Sequence, residues 1–159
     1  MIRLEKINTG NVWETVKLSV HETQKCFVAT NTQSILEAYV TVAEGKVAQP
    51  FSIYAQDTLA GFLMIGYDYF DDGEEPQAAH GNYLVWRLMI DQKYQGQGIG
   101  KAALNTALEY IRTRPFGDAE YCWLSYEPEN IVAKSLYASV GFVENGERCG
   151  EETVAVLKL

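Results

Sequence analysis

The chain has 159 residues, of which 47% are hydrophobic and 12% are aromatic, a composition typical of a globular protein and not of a disordered chain. This length predicts a single domain over residues 1–159, large enough to bury about two-thirds of the surface of the unfolded chain. Thirteen basic against twenty-one acidic residues give a formal charge of −8, which argues against nucleic acid as a partner and permits a cationic one.

Targeting segments and metal-binding patterns are absent from the sequence. No run of 18 apolar residues occurs, and MIRLEKINTG lacks the apolar core of a signal peptide, so we expect a cytoplasmic protein without a membrane partner. Cys26, Cys122 and Cys149 lack metal-ligand spacing and are expected to be reduced structural thiols. His21 and His80 have no partner pattern for metal binding or nucleophilic catalysis, so no metal is predicted.

The first part of the chain predicts a strand followed by two helices. IRLEKI (2–7) alternates apolar and polar residues loosely and predicts a short strand. NVWETVKLSV (11–20) has valines at helical spacing behind Asn11, a candidate N-cap, and TQSILEAYVTVAEG (32–45) predicts a second helix capped near Thr32. The predicted apolar stripe of this second helix consists of Ile35, Leu36, Tyr39 and Val40.

The middle of the chain predicts a hairpin and a central strand. PFSIYAQDTLAGFLMIGYDYF (50–70) predicts two strands joined around Gln56–Asp57. After the acidic loop DDGEEPQAAHGN (71–82), the run YLVWRLMI (83–90) is apolar on both faces apart from Arg87. Such a run predicts a strand covered by helices on both sides.

The remaining elements alternate between helix and strand. Leu104, Leu108 and Ile111 recur at i, i+4 and i+7 and predict an amphipathic helix. The other three segments are the strand YCWLSYE (121–127), the helix NIVAKSLYASVGF (130–142) between its N-cap Asn130 and Gly141, and the strand EETVAVLKL (151–159). The order β-αα-ββ-β-α-β-α-β predicts an α/β protein with a mixed sheet.

Three glycines separate the central strand from the amphipathic helix. Gly96, Gly98 and Gly100 lie where a helix N-terminus presents unpaired N–H groups, which bind anions, and missing side chains let a phosphate approach. A P-loop is excluded because Lys101 is followed by Ala102, and the G-x-G-x-G spacing is not the G-x-G-x-x-G of a dinucleotide site. A different phosphate cradle and a structural turn without a ligand both remain open on this evidence.

A second block of sequence indicates which kind of phosphate-binding site the glycines form. Gln95 to Gly100 matches Q-x-x-G-x-G, and EPENIVAKSLYASVGFVENGE (127–147) follows it on the next helix. With these two blocks, and with its order of elements over nearly the whole chain, the sequence resembles the GNAT superfamily of acetyl-CoA-dependent N-acetyltransferases. The resemblance implies an α/β GNAT fold, in which a mixed, mostly antiparallel central sheet splays at the cofactor site and carries helices on both faces. It also implies acetyl-CoA as the co-substrate.

The resemblance assigns roles to individual residues. It implies that Tyr137 protonates the coenzyme A sulfur and that the backbone N–H of Ile90 holds the acetyl carbonyl oxygen. Asn130 and Ser135 would contact the cofactor, although Asn130 is equally explained as a helix cap and the two roles are compatible. Backbone groups of Leu88, Met89 and Ile90 would pair with the pantetheine arm, and those of Gln95, Gly96, Gln97, Gly98, Ile99, Gly100 and Lys101 would hold the pyrophosphate.

Amide formation also requires a neutral amine. A primary alkylamine has a pKa near 10, so only about one molecule in a thousand is the free base at pH 7, and the site must desolvate it or supply a base. Glu127, at the end of a predicted strand beside the cofactor, is the candidate base, and Glu37 and Tyr126 are alternatives. For each of the three, an ordinary surface or packing role is the simpler explanation.

Within the superfamily, the sequence resembles bacterial diamine and polyamine acetyltransferases of the spermine/spermidine type. This resemblance rests on SVHETQKCFVATNTQSILEAY (19–39) and WRLMIDQKYQGQGIGKAAL (86–104). It implies a polycationic amine as partner, and a polycation needs carboxylates along its groove. The candidates are Glu22, Glu37, Asp68 and Asp71, with Asp72, Glu74 and Glu75 in the same loop and Tyr67, Tyr69 and Phe70 as candidate contacts for a methylene chain. The alternative is that this loop is a solvated run of charges.

Two other functions remain compatible with the sequence. One is acetylation of another amine, such as an aminoglycoside, an amino acid or a protein N-terminus. The other is a GNAT-like sensor that binds acetyl-CoA without turnover, although the intact Q-x-x-G-x-G and Tyr137 argue against it. Homodimers through the C-terminal strands are common in similar proteins.

Overall fold

A seven-stranded sheet is the centre of the computed structural model, which describes residues 1–70 and 73–159. Asp71 and Asp72, two candidate substrate carboxylates, lie outside the described residues. The strands are β1 (Ile2–Lys6), β2 (Val47–Ala55), β3 (Thr58–Tyr67), β4 (Tyr83–Ile90), β5 (Tyr121–Tyr126), β6 (Val143–Cys149) and β7 (Glu152–Lys158). The helices are α1 (Val12–Thr15), α2 (Asn31–Ala43), α3 (Ile99–Arg112) and α4 (Ile131–Val140), with short 3-10 helices at Glu22–Gln24, Gln77–Ala79 and Gln92–Tyr94.

The strands are ordered β1-β2-β3-β4-β5-β7-β6. All the pairs are antiparallel except β4 and β5, which run parallel, so the mixed, mostly antiparallel sheet is confirmed. The predicted hairpin is also confirmed: β2 and β3 are joined at Gln56, whose φ of +55° belongs to a tight turn.

Helices cover both faces of the sheet, as the resemblance implied. Successive residues of a strand point to opposite faces. Accordingly, Leu63 and Ile65 of β3 pack in the core cluster that contains the buried residues of α3, whereas Phe62 and Met64 pack with Ala38 of α2. In the described part of the chain, no helix is both long and apolar enough to cross a bilayer.

The amphipathic pattern of α3 is confirmed. Leu104, Leu108 and Ile111 are buried with Ala103 and Ala107 on the same face. Burial of each large side chain contributes about 1.5–3 kcal/mol, so this helix is held firmly against the sheet just after the glycine turn.

The first predicted helix is much shorter than expected. Only Val12–Thr15 is helical, whereas the valine spacing predicted a helix through Val20. The hydroxyl of Thr15 hydrogen-bonds to the carbonyl of Asn11 (2.8 Å) and to the hydroxyl of Ser52 on β2 (2.7 Å). The element is therefore anchored by a buried polar contact, and β-branched valines do little to extend a helix by themselves.

The cap of α2 lies two residues before Thr32, near which it was predicted, and the predicted apolar stripe is wrong at three of its four residues. The cap is Thr30, whose hydroxyl accepts a hydrogen bond from the N–H of Gln33 (3.1 Å), and not Thr32. The stripe residues Leu36, Tyr39 and Val40 are 60%, 73% and 52% exposed, and Ile35 is partly buried. The buried face consists instead of Asn31, Ser34, Ala38 and Thr41.

Strand β6 was missed because its sequence is polar. VENGERC is exposed at most positions, as expected for an edge strand that pairs only with β7. Its pairing is interrupted between Glu144 and Arg148, where Gly146 has a φ of +84°. An interrupted polar edge strand lacks the apolar alternation from which strands are predicted.

Candidate functional site

The sheet opens between β4 and β5. These parallel strands pair only at Tyr83–Cys122 and Leu84–Trp123, and the residues that follow on the two strands are not paired with each other. A cleft of about 830 Å³ lies at this separation and is lined by residues from β4, the glycine turn, β5 and α4. The predicted splay of the sheet is therefore confirmed.

Backbone groups of β4 point into the cleft. The N–H of Asp91 donates to the carbonyl of Ala60 (2.8 Å), and pairing geometry alternates along an antiparallel ladder. The N–H groups of Ile90 and Leu88 are therefore directed away from β3 and toward the opening, whereas the backbone of Met89 faces Phe62. The carbonyl of Ile90 accepts a hydrogen bond from the side chain of Gln95 (3.0 Å), which ties the glycine turn to the strand.

The glycine turn presents backbone N–H groups that have no protein acceptor. Gly96 and Gly98 have φ of +75° and +77°, which favours glycine at both positions. The first helical hydrogen bond of α3 is from Ala102 to Gly98 (3.1 Å). Among the described residues none accepts from the N–H groups of residues 97–101. With the positive end of the α3 dipole behind them, these groups fit a pyrophosphate.

Helix α4 also lines the cleft, and we call the part of the cleft that α4, β4 and the glycine turn line the donor part. Asn130 lines the cleft and also caps the helix, because its side chain accepts from the N–H of Ala133 (3.2 Å). Tyr137 lines the cleft with its ring 5.7 Å from that of Tyr126. Burial, and then the negative charge of Glu152, raise the pKa of Tyr137 to about 12. Tyr137 is therefore protonated at neutral pH and can donate a proton.

The predicted cofactor residues largely converge on this cleft. Two of them, Gln97 and Ser135, are exposed and are not among the lining residues. Those that line it are Leu88, Met89, Ile90, Gln95, Gly96, Gly98, Ile99, Gly100, Lys101, Asn130 and Tyr137.

The predicted acidic site residues are placed differently. Glu22 forms an ion pair with Lys25 (2.6 Å), and Glu37 forms one with Arg87 (2.8 Å). The carboxylate of Asp68 accepts from the N–H of Gly81 (2.7 Å). None of these three, and not Glu127 either, is among the residues that line the cleft.

Other side chains line the cleft on the α2 face of the sheet, and we call this set the acceptor wall. For three of its members, Trp86, Trp123 and Glu152, no sequence pattern indicated a role in the site. Glu152 was missed because only the pairing of β7 with β5 brings it beside the opening. The acceptor wall consists of Tyr69, Phe70, Glu74, Glu75, Trp86, Trp123 and Glu152.

Two further observations bear on the chemistry of the site. Tyr67, a candidate substrate contact, instead donates its hydroxyl to the carbonyl of Asp118 (2.9 Å). Within residues 1–70 and 73–159, no three His, Cys, Asp or Glu side chains come together as metal ligands.

Comparisons with known proteins agree with this geometry. A model of the acetyltransferase (GNAT) family matches residues 10–142. A spermine/spermidine N(1)-acetyltransferase from Bacillus subtilis (strain 168) is 27% identical over 150 residues, which cover 92% of this chain and 90% of that protein.

Solved structures show the same fold. The aminoglycoside acetyltransferase AAC(6')-Ib in complex with coenzyme A has a TM-score of 0.80 at 14% identity, over 99% of this chain and 95% of that chain. A spermidine N-acetyltransferase from Vibrio cholerae in complex with CoA and spermine has a TM-score of 0.65 at 19% identity, over 99% of this chain and 94% of that chain. The family match, the splayed strands and the open N-terminus of α3 together show that this chain belongs to the GNAT family of acetyl-CoA-dependent acetyltransferases.

Proposed function

We propose that the protein transfers an acetyl group from acetyl-CoA to a primary amine of a di- or polyamine, by direct attack in a ternary complex. The observation that carries this proposal is the composition of the acceptor wall. Its carboxylates Glu74, Glu75 and Glu152 suit ammonium groups, and its aromatic rings suit both cations and the methylene segments between them. The 27% identical relative, named as a spermine/spermidine acetyltransferase, supports the same substrate class.

Acetyl-CoA would occupy the other part of the cleft. The unpaired N–H groups before α3 would bind its pyrophosphate, and Leu88 and Ile90 would offer backbone groups to the pantetheine arm. This arrangement would place the thioester where β4 and β5 separate, between the N–H of Ile90 and the hydroxyl of Tyr137. A backbone N–H at the carbonyl oxygen stabilises the negative charge that develops during attack.

A second candidate substrate is an amine that also carries a carboxylate or carbonyl, such as an amino acid or a protein N-terminus. The observation that favours it is Arg87, which lines the cleft and has a buried Nε with no hydrogen-bond partner in the described part of the chain. Its ion pair with Glu37 compensates this charge, which weakens the case for a second anion. The polyamine therefore remains the better match.

A coenzyme A release assay with a panel of amines tests the proposal. We expect spermidine, spermine and putrescine to give kcat/KM values at least about tenfold above those of aminoglycosides, amino acids and peptides, a difference of about 1.4 kcal/mol in transition-state binding. Release with aminoglycosides or amino acids alone would contradict the polyamine assignment. Tight acetyl-CoA binding without release with any amine would instead identify a sensor.

A further inference from the structure

Glu152 lies where the two parallel strands have separated. The last β4–β5 pair is Leu84–Trp123, and Ser125 is two residues beyond it on β5. Strand β7 pairs with β5 through Val154–Ser125 and Thr153–Tyr126, which places Glu152 one residue past the last pair. Both Ser125 and Glu152 line the cleft. Glu152 therefore occupies the level of the opening at which the donor part and the acceptor wall meet.

One oxygen of Glu152 accepts a hydrogen bond, and the other has no hydrogen-bond partner among residues 1–70 and 73–159. The hydroxyl of Ser125 donates a hydrogen bond to Oε2 of Glu152. In the described ranges, no lysine or arginine forms an ion pair with Glu152, unlike Glu37, which Arg87 neutralises. A partly buried carboxylate without a protein cation favours a cation from outside, and the amine of the acceptor supplies one.

Tyr137 lies within electrostatic reach of this carboxylate. Both residues line the cleft, and burial, followed by the charge of Glu152, raises the pKa of Tyr137, so the phenol keeps its proton at neutral pH. Amide formation from an ammonium ion and a thioester is accelerated by such a pair of groups, because one accepts a proton from nitrogen and the other donates one to sulfur.

We propose that Glu152 binds the acceptor ammonium and removes its proton, and that Ser125 is the positioning residue that orients the carboxylate. This inference rests on the proposed amine acetylation. Glu152 passes the first amine proton to solvent, and the nitrogen lone pair forms a bond to the thioester carbonyl carbon. As the C–S bond breaks, the sulfur takes the proton of Tyr137, and the second amine proton restores the phenol.

The substitution Glu152→Gln tests this role because it keeps the size of the side chain and removes its charge. We expect kcat/KM for the amine to fall about 10²-fold or more, the usual scale for loss of a general base, while the Kd for acetyl-CoA changes by less than about twofold. Glu151→Gln is the matched control. The side chain of Glu151 is exposed in the turn before β7 and does not line the cleft. Removal of its charge should therefore leave kcat/KM for the amine and the Kd for acetyl-CoA unchanged.

Three further variants separate chemistry from folding. Glu152→Asp keeps the charge but shortens the side chain by one methylene group, which moves the carboxylate away from the substrate. We therefore expect a reduced kcat with a Tm close to that of the wild type. Ser125→Ala should lower kcat/KM about tenfold, a smaller effect than that of Glu152→Gln. Ser125→Thr keeps a hydroxyl group at this position, so its kcat/KM should be close to that of the wild type.

The outcomes distinguish this inference from the function on which it rests. If the wild type releases coenzyme A with an amine and Glu152→Gln retains its kcat/KM within about threefold, the role of Glu152 is wrong and the proposed function stands. If the wild type binds acetyl-CoA but no amine causes release, both are wrong. If Ser125→Thr, which keeps the hydroxyl, loses as much activity as Ser125→Ala, the positioning role of Ser125 is rejected.

Discussion

The carboxylates of this molecule differ in the groups with which they interact. Glu22 and Glu37 are paired with Lys25 and Arg87, so their charges are already compensated within the protein. From the described residues, Glu152 receives only a hydroxyl hydrogen bond, and it lines the cleft. An acidic residue becomes a candidate ligand for a cation when its charge is left uncompensated, and residue type alone does not reveal that state.

Removal of the Tyr137 hydroxyl should impair chemistry but not binding. We expect Tyr137→Phe to lower kcat about 10²-fold and to leave the Kd for acetyl-CoA nearly unchanged, because the phenol acts on the sulfur only as the thiolate departs. Stopped assays of coenzyme A release and equilibrium binding measure the two constants. Tyr121→Phe, on β5 but outside the cleft lining, is the control and should behave as the wild type. An unchanged kcat in Tyr137→Phe would remove this residue from the mechanism.

At the scale of the element, an irregularity in β4 shapes the acceptor wall. Val85 pairs with Ile65 and Arg87 pairs with Met64, so Trp86 is an extra residue without a partner on β3. Such a bulge alters the alternation of side chains and bends the strand. Trp86 packs with Tyr69 at a ring distance of 4.1 Å, and Arg87 reaches Glu37 on α2. The bulge therefore directs two consecutive side chains of β4 to the α2 face beside the opening.

The glycine turn allows a matched test of its function. Gly98 and Gly45 have φ of +77° and +79°, and an added Cβ would meet no atom within 4 Å at either position. Each alanine substitution should therefore cost about 1–2 kcal/mol of unfolding free energy from backbone strain. Only Gly98→Ala should also weaken acetyl-CoA binding, about tenfold or more, because Gly45 follows α2 away from the cleft.

Denaturant unfolding and acetyl-CoA titration of both variants measure these effects. Equal loss of affinity in Gly98→Ala and Gly45→Ala would show that the glycine turn acts only through stability.

At the scale of the whole molecule, the charge of −8 and the carboxylates of the cleft have the same sign. A negative potential attracts a polycation and repels the anionic phosphates of acetyl-CoA, so the two substrates should respond oppositely to screening. In the proposed complex, the open N-terminus of α3 would supply the local positive potential for the phosphates against this background.

Salt should therefore separate the two substrates. Raising the ionic strength from about 0.05 M to about 0.5 M shortens the Debye length to a few ångströms, and we expect kcat/KM for spermidine to fall about tenfold. The KM for acetyl-CoA should fall, or should rise by much less than tenfold. A neutral small amine analogue is the control, and a spermidine kcat/KM that is independent of salt would contradict electrostatic attraction of the acceptor.

Local sequence determined the donor part of the site. The apolar run of β4, the glycines at 96 and 98, the stripe of α3 and the caps at Asn130 and Gly141 depend on neighbours within a few residues, and the structure confirms each of these elements. Hydrophobic periodicity and backbone conformation act over short distances along the chain, so these features could be predicted.

The sequence had already proposed Tyr69, Phe70, Glu74 and Glu75, which line the cleft, but tertiary structure decided the rest of the acceptor part. The face that α2 buries depends on Asn31, which donates to the carbonyl of Thr15 (2.8 Å), and on the ion pair of Glu37, so Leu36 and Tyr39 point outward despite their apolar character. Glu152 reaches the cleft because β7 is inserted beside β5, about thirty residues away along the chain. These placements are set by contacts between distant segments, whereas a sequence pattern records only what near neighbours prefer.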